Sequence, residues 1–377
     1  MTVYHSPMPP QRSLDNVLHK MLQDSDLSFR DFVEVSLYHP ELGYYAGPRS
    51  PVGKAGDFVT SPLLSPVFSF ALSLLISEFV RKETDALCSI VDIGCGDGSL
   101  IYSLYARAPA VVRQRARFFG VDRSLERVGG GEGVEFTTDL SSIPRHDAQL
   151  IIANELFDAL PFARMVMRDE HLHELWVTER DGQLDWSEHE AEASYVDYFA
   201  ERGIELKDGQ FADISLDWEA TYDDVCRFVS RGLIVTFDYG YPQDQLFSSR
   251  IRHFGTAAAY AGHQVSRDLL ANPGEQDLTA HINFTDLRRA GERNGFQTLF
   301  FDRQAKFLLA AGATEHELFK PLDEVRVGSA DEALALREAR EEARRLVLPD
   351  GMGEEIRALV QGRGVVREGW SFQRKLF

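Results

Sequence analysis

The reading of this chain turns on one stretch: Val91-Asp92-Ile93-Gly94-Cys95-Gly96-Asp97-Gly98-Ser99-Leu100. An apolar run ends at Ile93, and glycines then stand at every second position. Glycine lets the backbone turn sharply out of a strand and lets a ligand approach the main chain closely. A helix beginning near Ser99 would point free N–H groups at an anion in front of the turn. Taken alone, the same residues also suit a merely tight strand-to-helix connection.

Working outward, short apolar runs alternate with helical segments, the mark of a parallel sheet with crossover helices. Candidate strands are Ser89–Ile93, Arg117–Val121, Val134–Phe136, Gln149–Ala153 and Leu233–Phe237, nearly all apolar or flanked by apolar residues, as strands covered on both faces should be. Phe296–Phe301 and Lys306–Ala310, joined by Asp302-Arg303-Gln304, read as a terminal hairpin. Arg164–Met167, Glu174–Val177 and Gln183–Trp186 suggest an inserted β-ribbon, and Tyr239 to Gly295 has little periodicity.

Residues 13 to 38 look helical, with Ser28 and Asp31 as a capping box. A loop dense in Pro and Gly follows, a linker or a lid. The spacing Phe68, Leu72, Leu75, Phe79 after Pro66 predicts a helix that buries against the core or a second subunit. Asp331 to Leu346 predicts a solvated surface helix capped by Ser329 and Glu332.

A net charge of -19 argues against a nucleic-acid backbone as partner. The uncharged stretch from Phe58 to Ser77 is broken by Pro62 and Pro66, so no membrane insertion is expected. Cys88, Cys95 and Cys226 form neither a metal-ligand cluster nor a disulfide framework, which with the absence of a signal peptide predicts a cytoplasmic protein.

A dinucleotide site would want G-x-G-x-x-G, but Ser99 stands at the last position and the third glycine falls one residue early, as in methyltransferases. With S-adenosylmethionine as occupant, its carboxylate would face the turn at Gly94, Gly96 and Gly98, with Asp92 near its ammonium. Asp122, 24 residues past Gly98, could accept hydrogen bonds from the ribose hydroxyls. Asp139 would meet the adenine amino group while Leu140 packs on the ring.

Asn154-Glu155-Leu156-Phe157-Asp158-Ala159-Leu160-Pro161 then follows the fourth strand. Methyl transfer is an in-line displacement, so the protein must chiefly hold the nucleophile in place. Glu155 and Asp158, three apart, could together clamp a guanidinium and help remove its proton. The other reading is a helix start with Asn154 as N-cap and Asp158 near the positive end of the dipole.

Taken with further pieces, these residues resemble the MidA-like family of S-adenosylmethionine-dependent methyltransferases. The pieces are His39-Pro40 with Gly43-Tyr44-Tyr45, Gly56-Asp57-Phe58-Val59-Thr60-Ser61-Pro62, the glycine turn, Asn154 to Pro161, Asp238-Tyr239-Gly240, Gly255-Thr256, Pro273 with Asp277 to Phe284, and Pro349 with Met352-Gly353. The resemblance implies that Asp57, Phe58, Thr60, Ser61 and Pro62 cover the cofactor. It implies too that His281 lines the substrate cleft, a structural histidine being the alternative. Asp238-Tyr239 would reach the cleft or cap a loop.

The fold implied is α/β: a Rossmann-like class I methyltransferase with a mainly parallel seven-stranded sheet and a terminal antiparallel hairpin. A helical or lid region would occupy 1–85 and the core 86–312, with an insertion at about 163–227, a cleft-lining segment at about 239–295 and a helical extension over 313–377. The implied substrate is a protein side chain, an arginine nitrogen, with a homodimer possible. The sequence departs from the family at Leu63-Leu64-Ser65-Pro66, at Phe70 in place of an acid, at Asp97 in place of arginine, and at Ala257-Ala258-Ala259. The second function is therefore a weak or inactive cofactor-binding assembly factor. The third, a nicotinamide oxidoreductase, is disfavoured by Ser99.

Overall fold

A computed structural model of the chain describes residues 14–46, 61–83, 86–129, 131–262, 264–321, 328–348 and 351–375, with only the backbone at Pro62, Leu63 and Met352. The chain divides into two compact units. One takes Met1–Phe58, Pro161–Ser215 and Phe247–Ala280; the other takes Val59–Leu160, Leu216–Leu246 and His281–Phe377.

The second unit is built on a mixed sheet. Its strands are β1 (Cys88–Ile93), β2 (Ala116–Val121), β3 (Val134–Thr137), β4 (Ala148–Asn154), β5 (Gly232–Tyr241), β6 (Gln297–Arg303) and β7 (Ile356–Arg363), in the order β6-β7-β5-β4-β1-β2-β3, and a two-residue strand, Ile282–Asn283, pairs with the end of β5. β1 to β5 are mutually parallel, and β7 is antiparallel to both neighbours. Alternation within the strands feeds two cores. Ile90, Leu150, Ile152, Leu233, Val235 and Phe237 face one, with α1 (Pro66–Glu83) and α2 (Ser99–Arg107). Val91, Ile93, Ile151, Ala153 and Ile234 face the other, with α3 (Trp218–Phe228) and α4 (Phe284–Arg293). β1 is buried along its whole length, because side chains cover both its faces.

In this sheet the expected strands fall within one or two residues of those found, except at the C-terminal end of β5 and at the terminal hairpin; the expected ribbon strands Glu174–Val177 and Gln183–Trp186 extend further, to His171–Arg180 and Gln183–Glu190. The hairpin's second strand is instead a helix, α5 (Gln304–Ala310), and the partner of β6 is β7, from the region expected to be a helical extension. A short apolar run does not distinguish strand from buried helix by periodicity, and Lys306-Phe307-Leu308-Leu309-Ala310 is rich in helix formers. The helix after Pro66 buries Phe68, Leu72, Leu75 and Phe79 completely in its own unit's core. The expected surface helix is α6 (Ala330–Val347), where Ser329 accepts from Glu332 N, and Ala343, Leu346 and Val347 are buried. Trp218–Phe228, assigned to the insertion, packs in the sheet's core.

The first unit holds an antiparallel sheet in which His171–Arg180 pairs with Ala163–Arg168, Gln183–Glu190 and Leu27–Ser28, and Phe211–Ile214 extends the edge. Ser28 caps the helix Phe29–Tyr38 through Asp31 N. The stretch with little periodicity contains a three-stranded sheet of Gln264–Ser266, Ala258–Ala261 and Asp277–Thr279. Asp213 organises this unit: its Oδ1 accepts from Arg164 at 2.6 Å, and its Oδ2 accepts from Thr256 N at 2.6 Å and Ala257 N at 2.7 Å. Among the described residues no helix is long and apolar enough to cross a membrane.

Candidate cofactor and acceptor site

Gly94, Gly96 and Gly98 have φ of +73°, +56° and +79°, the left-handed region that favours glycine. Gly94 N and Cys95 N donate to Val121 O at 2.8 and 3.1 Å, so the turn is fastened to the end of β2. Gly98 forms the N-cap of α2, and Ser99 N donates to Asp97 Oδ1 at 2.9 Å. A Cβ at Gly96 would touch nothing within 4 Å, so the backbone there is open to an approaching group.

Asp122 closes β2 and accepts from Gly96 N through Oδ2 at 2.8 Å and from Ser124 N through Oδ1 at 3.3 Å. A carboxylate has about four lone-pair sites, so acceptor capacity remains for a sugar. Asp92 is 2% exposed, and its Oδ2 has no hydrogen-bond partner among the described residues. Burial, reinforced by Asp122 and Asp97, pushes its carboxyl up to about 8. A buried acceptor among acids is the environment an ammonium group would relieve. The residues present therefore fit S-adenosylmethionine: the turn for its carboxylate, Asp92 for its ammonium and Asp122 for its ribose.

Asp139 is exposed and caps a short 3-10 turn, Leu140–Ser142; Ser141 donates to it from Oγ at 2.6 Å and N at 2.8 Å, which holds its carboxyl low. Leu140 packs against the sheet's second core. Sequence reasoning foresaw neither local role.

The loop after β4 sits against the glycine turn: a Cβ at Gly94 would lie 2.8 Å from Leu156 Cδ1. No helix starts at Asn154, which ends β4. Glu155 takes φ +50°, and its Oε1 accepts from Asn154 Nδ2 and Ser61 N, both at 3.2 Å. Ser61 is fully buried, its hydroxyl bonded to Gln304 at the start of α5. Asp158 turns to a different partner, Asp238, a completely buried residue of β5. The two acids expected to clamp one group together are thus held by separate partners. Asp238, expected to reach the cleft or cap a loop, caps this one by accepting from Phe157 N; Gln304 was not among the candidate residues, because no spacing rule links it to the loop and only the fold brings α5 there.

His281 lies between two rings of β5, stacked at 6.2 Å on Tyr239 and tilted at 5.4 Å on Tyr241, and Arg357 covers the Tyr241 ring at 5.1 Å. Two residues on, Asn283 caps α4 by accepting from Thr285 N. Asp57, Phe58 and Thr60 lie outside the described residues, as does the side chain of Pro62.

The model of a family described as "Putative S-adenosyl-L-methionine-dependent methyltransferase" matches residues 75–301. The chain belongs to this family, the MidA-like S-adenosylmethionine-dependent methyltransferases. This MidA-like chain is 24% identical over 321 residues to the zebrafish mitochondrial protein arginine methyltransferase NDUFAF7, covering 74% of the chain and 72% of the relative. To the human protein of that name it is 23% identical over 335 residues, covering 76% and 70%. A COG1565 superfamily member from Burkholderia thailandensis, solved with S-adenosyl-homocysteine bound, superposes with a TM-score of 0.82 at 25% identity, covering 98% of both chains. The cofactor is therefore S-adenosylmethionine. The expected cytoplasmic location is withdrawn, because these curated relatives are mitochondrial by name. Three buried free cysteines do not tell one reducing compartment from another.

Proposed function

We propose that this methyltransferase acts on a protein and that the acceptor atom is an arginine nitrogen. The observation that carries the reading is the pair of carboxylates, Glu155 and Asp158, on a loop packed against the cofactor turn. The curated relatives' printed activity supports it. When bound, S-adenosylmethionine supplies an electrophilic methyl group on a sulfonium.

The chain's own residues do the rest. Glu155, pinned by Ser61 N and Asn154 Nδ2, and Asp158, pinned through Asp238, present acceptors to a cationic guanidinium, which donates planar N–H groups but accepts none. Orientation is the main contribution, since displacement at carbon needs the nitrogen lone pair in line. As the new N–C bond would form at the expense of the methyl–sulfur bond, the nitrogen's proton passes to a carboxylate within reach. Nothing favours the non-catalytic reading: Phe70, which replaces an acid, packs its ring edge-on against His316 at 5.0 Å.

The test is transfer of labelled methyl to protein in a lysate lacking the enzyme, followed by mass spectrometry of the labelled residue. Methylarginine, lost with Glu155→Gln, is expected; label on another residue type would overturn the arginine assignment.

A further inference from the structure

We propose that Asp238 is a positioning residue for Asp158: the two buried carboxyl groups form one hydrogen-bonded acid–carboxylate pair that aims a single negative charge from the loop after β4. Asp238 has no exposed surface and Asp158 is 7% exposed. Asp238 Oδ2 accepts from Phe157 N and its Oδ1 from Tyr239 N, both at 2.8 Å. Phe157 immediately precedes Asp158, so Asp238 ties the loop carrying Asp158 to β5. Burial pushes the Asp238 carboxyl well above its ordinary value, and the charge of Asp158 and its hydrogen bond push the same way against the pull of the two N–H groups. Adjacent buried carboxylates cannot both ionise cheaply, so the pair holds one proton at neutral pH and titrates as a unit. The charge lies toward Asp158, the member nearer solvent.

A charge held in a fixed direction at Asp158 suits a cationic acceptor that Glu155 also faces. The match to a guanidinium rests on the arginine reading above; the pairing does not.

Carboxyl-carbon NMR of the aspartate-labelled protein with S-adenosylhomocysteine tests the pair without an acceptor substrate. A carboxyl that stays protonated at neutral pH is expected, absent in Asp238→Asn and ionising at lower pH in Asp158→Asn than in the parent protein. Any signal from Asp92 is identified separately by its loss in Asp92→Asn. In the labelled-methyl assay, Asp238→Asn is expected to lose roughly a hundredfold in transfer, to shift the pH profile, and to bind S-adenosylhomocysteine normally. The double variant is expected to be no worse than the poorer single one. Absence of the protonated carboxyl, or an unchanged pH profile, would overturn the proposal. Should Asp238→Asn not fold, a fall in the pH at which Asp238 titrates in Asp158→Asn decides it, and an unchanged titration overturns the pairing. A normal pair with label on another residue type would sink the arginine reading alone.

Discussion

At Asp92 the needs of binding and of stability conflict. Its carboxyl ionises near 4 in an unfolded chain but only at about 8 in the folded protein. Between those values the folded state binds more protons than the unfolded one, so stability falls as pH rises from about 4 to about 8 and then levels. Without ligand, Asp92→Asn is therefore expected to melt above the parent protein, by a margin that widens from pH 5 to pH 8, while losing affinity for S-adenosylmethionine. Thermal scans at the two pH values check this, and a variant melting no higher at pH 8 would refute the buried, unrelieved carboxyl. A second residue shows the opposite balance. Gly255 has φ +73°, and a Cβ there would lie 2.2 Å from Asp213 Oδ2. Gly255→Ala must displace the carboxylate that holds Arg164 and two backbone N–H groups. A loss of at least about 2 kcal/mol in denaturant unfolding is expected.

At the scale of elements, Ser61, Glu155 and Gln304 join a short helix, the end of β4 and the start of α5. Gln304→Ala would remove the amide that bonds the fully buried Ser61 hydroxyl, at a cost of about 1 kcal/mol. It would also loosen the donor that pins Glu155, so methyl transfer should fall further than cofactor affinity. Equal losses in both, measured by labelled transfer and calorimetry, would show that the link serves stability alone. These joints mark where the sequence stops being legible. The parallel strands were readable because strands covered on both faces are written as unbroken apolar runs, and the glycine turn because only glycine fits its backbone. β7 was not: Arg357, Gln361, Gly362 and Arg363 interrupt its apolar residues, and its two neighbours, β5 and β6, lie far back in the chain. Most of α5 was mistaken for a strand because Lys306–Ala310, five apolar or helix-forming residues, carry no period. Asp158 was found because it shares a motif with Asn154, and Asp238 was read as reaching the cleft or capping a loop, but their pairing across 80 residues is made only by the sheet.

Over the whole molecule, 59 acidic residues against 40 basic ones give a net charge of -19, and the cofactor turn repeats that excess with Asp92, Asp97 and Asp122. Asp97, within the glycine turn, adds a negative charge to those of Asp92 and Asp122 there. S-adenosylmethionine has a net charge of about +1 from carboxylate, ammonium and sulfonium together, whereas the demethylated product is neutral overall. A negative field therefore favours the donor over the product in a way that salt can remove, since exposed charges are screened beyond about 10 Å at 0.1 M ionic strength. Raising salt from low to moderate concentration at pH 8 should weaken binding of S-adenosylmethionine more than that of S-adenosylhomocysteine. Asp97→Asn should narrow the ratio of the two dissociation constants at low salt and reduce its salt dependence. Isothermal calorimetry of both ligands on both proteins measures all four affinities. If the two ligands respond equally to salt in the parent protein, the acids at the turn act only through the ammonium the ligands share, and the charge at Asp97 has no part in telling donor from product.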